Sequence, residues 1–260
     1  MITSLQNPRV KLARALLRQK QERQKSCLFV IEGVRLVEEA YSTGWLPEWI
    51  FYSSPISSRG KELLNACTQA GCDVEEVTPA VMEKISGTES PQGILAVLPE
   101  RQPTLPEKLD FAVIGDAIRD PGNLGALLRS AAAAGVQAVF LTSGSADPFS
   151  PKVLRAGMGA HFRLPIFTNP WQDIYAHCIN FVPPLNLFLA EAQKGLPYWQ
   201  ADLRAPLALI IGGEAEGPAP EIRSAAVTPL SIPMPGRFES LNAAVAAGIL
   251  IFEVIRQRHS

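Results

Sequence analysis

Apolar and polar positions alternate along the chain in a pattern typical of an α/β protein. Short apolar runs such as "CLFVI" (27–31) and "GILAVL" (93–98) predict buried strands. An amphipathic stretch between them, "VRLVEEAYS" (34–42), predicts a helix. This alternation favours a small layered α/β domain with a largely parallel sheet in the first part of the chain.

A second series of such elements follows a segment rich in proline and charge. That segment, "PERQPTLPEKLD" (99–110), contains three prolines and five charged residues, which is typical of a linker. Beyond it, "FAVIG" (111–115) and "LALIIGG" (207–213) predict strands that are buried on both faces. We therefore expect two α/β domains, covering residues 1–105 and 106–260.

The composition is that of a globular protein, with 47% hydrophobic and 19% charged residues in a chain of 260. The first residues contain no apolar signal region, and the longest apolar stretch is shorter than a membrane span and is interrupted by Glu253. We expect no membrane association, and a cytoplasmic or organelle stromal or matrix location. The four cysteines have no C-x-x-C spacing, so neither a disulfide framework nor a metal site is expected.

Positive charge is concentrated at the start of the chain, although the net charge is only −1. Residues 1–25 contain seven lysines and arginines and a single acidic residue. On one continuous helix, Lys11, Arg14, Arg18 and Lys25 would share a face. Such a face is either a solvated surface or a patch that contacts the phosphates of a nucleic acid.

Three polar loops follow apolar strands and have the same layout. They are "DPGNLGALLR" (120–129), "IIGGEAEG" (210–217) and "IPMPGRFESLN" (232–242). In open α/β sheets such loops meet at the carboxyl ends of the strands, where ligands bind. These loops also have local explanations: Asn123 could cap a helix, and Ser240 or Asn242 could cap a C-terminal helix over 240–258.

The polar residues of these loops limit the possible chemistry. Histidine and cysteine are missing from the set, which disfavours most nucleophilic and metal-assisted reactions. The sequence also contains neither a G-x-G-x-x-G nor a G-x-x-x-x-G-K-[ST] motif, which disfavours enzymes that use NAD or nucleoside triphosphates.

Long segments of the chain resemble a known family. The segments "DPGNLGALLRSAAAAGVQAVFL" (120–141), "LALIIGGEAEG" (207–217) and "SIPMPGRFESLNAAVAAGILIFE" (231–253) resemble the three ordered motifs of the SpoU/TrmH branch of the SPOUT RNA methyltransferases. The segment at 4–40 resembles the family's N-terminal substrate-binding domain, and the segment at 147–167 its region between the first two motifs. The resemblance is therefore nearly full length.

The resemblance implies a fold and an activity. The fold would be a SPOUT-type α/β knot domain, with a deep trefoil knot, preceded by a small α/β substrate-binding domain. The knot loops would bind S-adenosylmethionine, and the enzyme would methylate a ribose 2′-hydroxyl of RNA as a homodimer packed through the knot region. The long N-terminal domain favours 23S-type ribosomal RNA over tRNA as the substrate. Alternatives are a tRNA 2′-O-methyltransferase, a non-catalytic RNA-binding or ribosome-assembly protein on the same fold, and a nucleotide-dependent metabolic enzyme.

The same resemblance assigns roles to residues of the three motifs. The catalytic set would be Asn123, Arg129, Glu214, Ser240 and Asn242. The cofactor contacts would be Thr142, Gly212, Ile232 and Leu241. Because a guanidinium is a very weak acid, we expect Arg129 to position the phosphate and the hydroxyl rather than to act as a base.

Candidate RNA contacts come from the basic residues, and no metal is expected. Five belong to the N-terminal segment and two to the region between the first and second motifs: Arg9, Lys11, Arg14, Arg18, Lys25, Lys152 and Arg155. One departure from the family pattern lies in the second motif, which often reads G-N-E-G-x-G. This chain has "GGEAEG", with Gly213 and Ala215 at the variable points. A second departure is Gly157, where the family often has a serine.

Overall fold

The computed structural model describes residues 1–87, 92–213, 217–236 and 238–259. The chain forms two compact units. The first unit contains residues 1–102 together with 149–162, and the second contains residues 103–148 together with 163–260. The chain passes from the first unit to the second within the predicted linker, and the segment 149–162 returns to the first unit.

The first unit is a mixed sheet with helices. Its strands are β1 (Leu28–Glu32), β2 (Trp49–Tyr52), β3 (Asp73–Glu76) and β4 (Ile94–Pro99). Its helices are α1 (Pro8–Arg18), α2 (Lys20–Ser26), α3 (Val34–Ser42), α4 (Ser58–Gln69), α5 (Pro79–Ile85) and α7 (Pro151–Gly157). In the described part the strand order is β1-β4-β2-β3, and β4 is antiparallel to both of its neighbours. The prediction of a largely parallel sheet is therefore wrong for this unit, because the last strand enters between β1 and β2 in the opposite direction.

The segment 149–162 completes a hydrophobic core of the first unit. Leu154 and Phe162 are buried in the cluster that contains Phe29, and Phe149 packs against the same cluster. The ring centroids of Phe29 and Phe149 are 4.9 Å apart, and those of Trp45 and Phe162 are 5.4 Å apart. The first unit is therefore built from two separate stretches of sequence.

The second unit is an α/β structure on a parallel sheet. Its strands are β5 (Phe111–Asp116), β6 (Ala138–Leu141), β7 (Ile166–Thr168), β8 (Asn186–Glu191), β9 (Leu196–Pro197), β10 (Leu207–Gly212) and β11 (Thr228–Ser231). Its α-helices are α6 (Pro121–Ala133), α8 (Trp171–Asn180), α9 (Pro220–Ser224) and α10 (Ala243–Arg258). The strand order is β7-β6-β5-β10-β8-β11-β9, and each pair in the described residues is parallel.

The two central strands explain why the loops of this unit meet. Every residue of β5 is buried, and so are the first five residues of β10, which is the burial expected of a parallel sheet covered on both faces. The parallel register pairs Gly212, at the end of β10, with Asp116, at the end of β5. The polar loops that follow these strands therefore emerge at one edge of the sheet. None of the described helices is long and apolar enough to cross a membrane.

Candidate active site

A cavity of about 200 Å³ opens at the carboxyl edge of the parallel sheet of the second unit. It is lined by the segments that follow β8, β10 and β11 and by the first turn of α10. Its lining includes Glu191, Gly212, Gly213, Ile232, Ser240 and Leu241. Four of the residues predicted from the sequence, Gly212, Ile232, Ser240 and Leu241, therefore lie around one cavity.

The cavity has the surface expected for an adenosyl cofactor. Ile211, Leu230 and Ile232 supply apolar surface, and Gly212 and Gly217 supply exposed backbone. Such a lining suits a flat heterocycle with a few polar groups, because ligand sites combine a mainly apolar wall with a small number of polar contacts. The residues present therefore fit S-adenosylmethionine. In the described part of the chain, histidine, cysteine, aspartate and glutamate residues form no group of three or more that could hold a metal ion.

Asn242 is the residue that starts the C-terminal helix. Its Oδ1 accepts hydrogen bonds from the backbone N–H groups of Ala244 and Val245, at 3.0 and 3.2 Å. The helix begins at Ala243, so the predictions of a helix from residue 240 and of Ser240 as its cap are wrong. Ser240 lies two residues before the cap, where it lines the cavity.

The Asn242 side chain also connects two of the sequence motifs. Its Nδ2 donates a hydrogen bond to Oδ1 of Asn123 at 2.9 Å. Asn123 lies in the first turn of α6, whose cap is Asp120 and not Asn123, because Oδ1 of Asp120 accepts the Asn123 N–H at 2.8 Å. The Asn123 side chain is therefore not needed to cap its own helix and instead binds the loop beside the cavity.

Two predicted site residues neither line the cavity nor contact Asn123 or Asn242, and a third lies outside the described residues. Arg129 is exposed on α6, six residues after Asn123, which places it about 9 Å further along the helix and on a different face. The Arg129 guanidinium makes no hydrogen bond or ion pair with the described residues. Thr142 is buried and is not among the residues that line the cavity. Glu214 lies outside the described residues.

Sequence reasoning missed Asp116, a buried acidic residue at this edge of the sheet. Its Oδ1 accepts a hydrogen bond from Oγ1 of Thr142 at 2.7 Å, and its Oδ2 accepts one from the backbone N–H of Ala219 at 3.1 Å. The signal was present in the sequence, since an aspartate directly follows the wholly apolar run 111–115. Glu191, which ends β8 and lines the cavity, was missed in the same way.

The predicted RNA contacts of the N-terminal segment do not share one helix face. α1 ends at Arg18, and Gln19 adopts an extended conformation, so Lys25 belongs to the separate helix α2. Arg9 binds the carboxylates of Asp73 and Glu75, and the hydrogen bond with Asp73 is the largest of the effects that raise the pKa of the Arg9 guanidinium. Its charge is therefore balanced within the protein.

The remaining basic candidates lie in the first unit. Lys11 and Arg18 are exposed on α1, and Arg14 is half-buried with no hydrogen-bond acceptor for its Nε among the described residues. Lys152 and Arg155 lie on α7, which belongs to the same unit. A Cβ placed on Gly87 would lie 3.3 Å from Nη1 of Arg155 and 3.7 Å from Cδ2 of Leu17, so side chains of α7 and α1 both lie near Gly87.

Family models match most of the chain. The model described as the SpoU rRNA Methylase family matches residues 110–252. The model described as the MRM3-like substrate binding domain matches residues 7–96. The two matches together cover parts of both units.

Individual proteins are similar over nearly the whole chain. The 23S rRNA (guanosine(2553)-2'-O)-methyltransferase RlmP of Bacillus subtilis is 32% identical, with 97% of this chain and 98% of that protein covered. The crystal structure of an AdoMet-bound rRNA methyltransferase from Sinorhizobium meliloti is 33% identical, with a TM-score of 0.86 and coverage of 98% and 97%. That of the SpoU methyltransferase AviRb from Streptomyces viridochromogenes with AdoMet is 27% identical, with a TM-score of 0.87 and coverage of 97% and 99%.

Proposed function

The chain belongs to the SpoU rRNA methylase family, and we propose that it transfers a methyl group from S-adenosylmethionine to a ribose 2′-hydroxyl of ribosomal RNA. One structural observation supports this proposal most directly. The hydrogen bond between Asn242 and Asn123 joins the first motif to the third, and Ser240 and Leu241 of the third motif line the cavity. The site therefore brings together the motifs that the family uses for this reaction.

The cavity at the carboxyl edge of the sheet is the proposed cofactor site. Gly212, Ile232 and Leu241 would hold the cofactor, which supplies an electrophilic methyl group on a positively charged sulfur. Thr142 does not line the cavity, so it would support the cofactor only indirectly. Glu191 also lines the cavity, but its Oε1 lies 3.7 Å from Nε of Arg223, so its charge is balanced within the protein.

The polar residues would position the RNA and exclude water. The hydrogen bond between the Asn123 and Asn242 side chains holds each of them in one rotamer. Little conformational entropy of these two side chains would therefore be lost when the substrate binds. Ser240 would donate a hydrogen bond to the ribose or the neighbouring phosphate. Arg129 is an exposed cation, so it would bind that phosphate and stabilise negative charge that develops on the 2′-oxygen. We keep Glu214 as a proposed member of this set because of its place in the second motif.

We keep residues 1–105 as the proposed substrate-binding domain and residues 106–260, apart from the returning segment 149–162, as the proposed catalytic domain. The basic residues Lys11, Arg14 and Arg18 on α1 would contact RNA phosphates together with Lys152 and Arg155 on α7, which lies in the same unit as α1. Arg9 and Lys25 stay weaker candidates, the first because its charge is balanced by Asp73 and Glu75. Such phosphate contacts give affinity that falls steeply as the salt concentration rises.

Ribosomal RNA is the favoured substrate for two reasons. The substrate-binding domain matches the MRM3-like model over most of its length, and RlmP is named as a 23S rRNA methyltransferase. The enzyme would then work where ribosomal RNA is found, in the cytoplasm or in an organelle matrix. The trefoil knot implied by the family stays a prediction.

We also propose a homodimer that packs through α10. Apolar residues at Val245, Gly248, Ile249 and Phe252 follow each other at helical spacing on one face. Val245 is 52% exposed and Phe252 is 50% exposed, and a partner would remove this apolar surface from water. Phe252→Glu should give a monomer by light scattering, and Ile179→Glu, at an exposed apolar position on α8, should not. A wild-type protein that is monomeric at micromolar concentrations would contradict this assignment.

The proposed activity is tested by methyl transfer to defined RNA. The purified protein is incubated with labelled S-adenosylmethionine and ribosomal RNA from cells that lack the gene, and 2′-O-methylnucleosides are identified by mass spectrometry. Arg129→Ala should lower the turnover by about a hundredfold, while Arg204→Ala, an exposed arginine paired with Asp202, should leave it unchanged.

Three results would contradict the proposal. Methylation of tRNA but not of ribosomal RNA would mean that the substrate is tRNA. Binding of RNA without binding of S-adenosylmethionine would identify a non-catalytic protein of the same fold. Normal turnover and RNA affinity in Arg129→Ala would remove that residue from the mechanism.

A further inference from the structure

Asp116 is buried at the end of β5, with 4% of its surface exposed. A buried carboxylate is costly unless hydrogen bonds replace the water it has lost. Here one carboxylate oxygen accepts a hydrogen bond from the Thr142 hydroxyl at 2.7 Å, and the other accepts one from the Ala219 amide at 3.1 Å. The carboxylate therefore connects three loops, those that follow β5, β6 and β10.

Thr142 extends this connection. Its hydroxyl donates to Asp116 and accepts a hydrogen bond from the backbone N–H of Ala117 at 3.0 Å. Ala117 has a φ of 50°, in the left-handed region that non-glycine residues rarely adopt. The Thr142 hydroxyl therefore stabilises the strained turn immediately after Asp116, and it does so from a site that is itself 5% exposed.

Asp116 and Ala117 contact described residues at both ends of the segment 212–219, and Gly212, Gly213, Gly217 and Pro218 of this segment line the cavity. At the beginning of the segment, Gly212 pairs in register with Asp116. A Cβ on Gly213 would lie only 2.5 Å from the carbonyl oxygen of Ala117, so the two backbones are in close contact there. At its end, Pro218 lines the cavity directly before Ala219, whose amide binds Asp116.

We propose that Asp116 is a positioning residue for the cofactor, acting through Thr142 and the Ala219 amide on the described residues of the segment 212–219 that line the cavity. The proposal rests on the proposed function, because it takes the cavity as the S-adenosylmethionine site. Neither side chain lines the cavity, so their effect on the cofactor is indirect. Without the bonds of Asp116 to Thr142 and to the Ala219 amide, the backbone beside the cavity should open more often. A smaller fraction of the protein would then be in the state that binds S-adenosylmethionine.

Three variants separate the hydrogen bonds from the shape of the side chains. Thr142→Val keeps the volume but removes the hydroxyl that binds Oδ1 of Asp116 and the Ala117 amide, while the bond from the Ala219 amide to Oδ2 of Asp116 remains. Thr142→Ser keeps the hydroxyl and is the matched control. Asp116→Asn keeps the shape but presents an amide N–H₂ group toward either the Thr142 hydroxyl or the Ala219 N–H, so that one of these hydrogen bonds is lost. Ile174→Ala, in the core of the same unit on α8, is a control for general loss of stability.

Hydrogen exchange measures how often the segment opens, and calorimetry measures how tightly the protein binds S-adenosylmethionine. Amide exchange is followed by mass spectrometry in a peptide that covers 211–219, without any ligand. Binding of S-adenosylmethionine is measured by isothermal titration, well below the melting temperature of each variant. In Thr142→Val and Asp116→Asn, exchange in this peptide should be about tenfold faster and the Kd about tenfold higher than in the wild type. Thr142→Ser should resemble the wild type, and Ile174→Ala should lower the melting temperature without changing the Kd.

The outcomes distinguish this inference from the function on which it rests. Equal exchange and equal Kd in Thr142→Val and Thr142→Ser would overturn it, as would equal loosening of the peptide in Ile174→Ala. If the wild type binds no S-adenosylmethionine, the proposed function fails. In that case faster exchange in Asp116→Asn would still support the positioning of the segment, and unchanged exchange would refute it.

Discussion

Replacing Phe162 by alanine should destabilise the sheet of the first unit, although this residue is more than 50 positions away in sequence from any strand of that sheet. The Phe162 ring is only 7% exposed and lies against Phe29 and Trp45, with centroid distances of 6.5 and 5.4 Å. Loss of a buried phenylalanine costs about 3–5 kcal/mol in protein cores, and part of that cost comes from aromatic pairs. We expect about 3 kcal/mol here.

Hydrogen exchange measured for each sheet separately is the appropriate assay. A loss of about 3 kcal/mol should speed the exchange of β1 amides by about a hundredfold. The amides of β5, in the second unit, should keep their protection, because their buried neighbours do not include Phe162. Leu46→Ala is the control in the first unit, since Leu46 is 40% exposed and its loss should change β1 exchange little.

Two results would refute this reasoning. Unchanged β1 exchange in Phe162→Ala would mean that the segment 149–162 does not belong to the core of the first unit. Faster exchange in β5 alone would mean that the segment supports the second unit instead. Either result would restore a division of the chain into residues 1–105 and 106–260 without a returning segment.

Three further predictions concern single residues. Asn242→Asp keeps the oxygen that caps α10 but loses the N–H group that binds Asn123, so the melting temperature should stay near that of the wild type while methyl transfer falls by about tenfold. Gly213→Ala should raise the Kd of S-adenosylmethionine in titration calorimetry, because its Cβ would lie 2.5 Å from the Ala117 carbonyl oxygen. Burial raises the pKa of the Cys178 thiol to about 12, so little thiolate forms at mildly alkaline pH, and mass spectrometry should find iodoacetamide at Cys178 only after unfolding.

Much of the element order could be predicted because burial leaves a direct trace in the sequence. β4, β5 and β10 are almost wholly buried, and each appears as an uninterrupted apolar run between turn residues. The direction of β4 could not be predicted in this way. A strand has the same pattern of apolar positions whichever way it runs, so the pattern is silent on whether its neighbours are parallel.

The position of the segment 149–162 has a similar explanation. Its apolar residues show that one face is buried. That face could pack against the core of either unit, and the sequence pattern does not distinguish between them. The outcome depends on the aromatic residues of the first unit, Phe29 and Trp45, which contact Phe149 and Phe162. Long-range contacts of this kind are properties of the folded chain and not of any short stretch of sequence.

The start of α10 illustrates why a local pattern identified the right region but the wrong residue. Serine and asparagine cap helices about equally well, so the sequence "ESLN" offered two caps, and an N-terminal boundary from pattern alone is uncertain by a few residues. The difference between the two residues comes from a partner outside the loop. Asparagine has its acceptor and its donor on different atoms, so Oδ1 binds the helix amides while Nδ2 binds Asn123, whereas serine has a single oxygen for both. With Asn242 as the cap, Ser240 is left at the wall of the cavity, where a hydroxyl can serve the substrate.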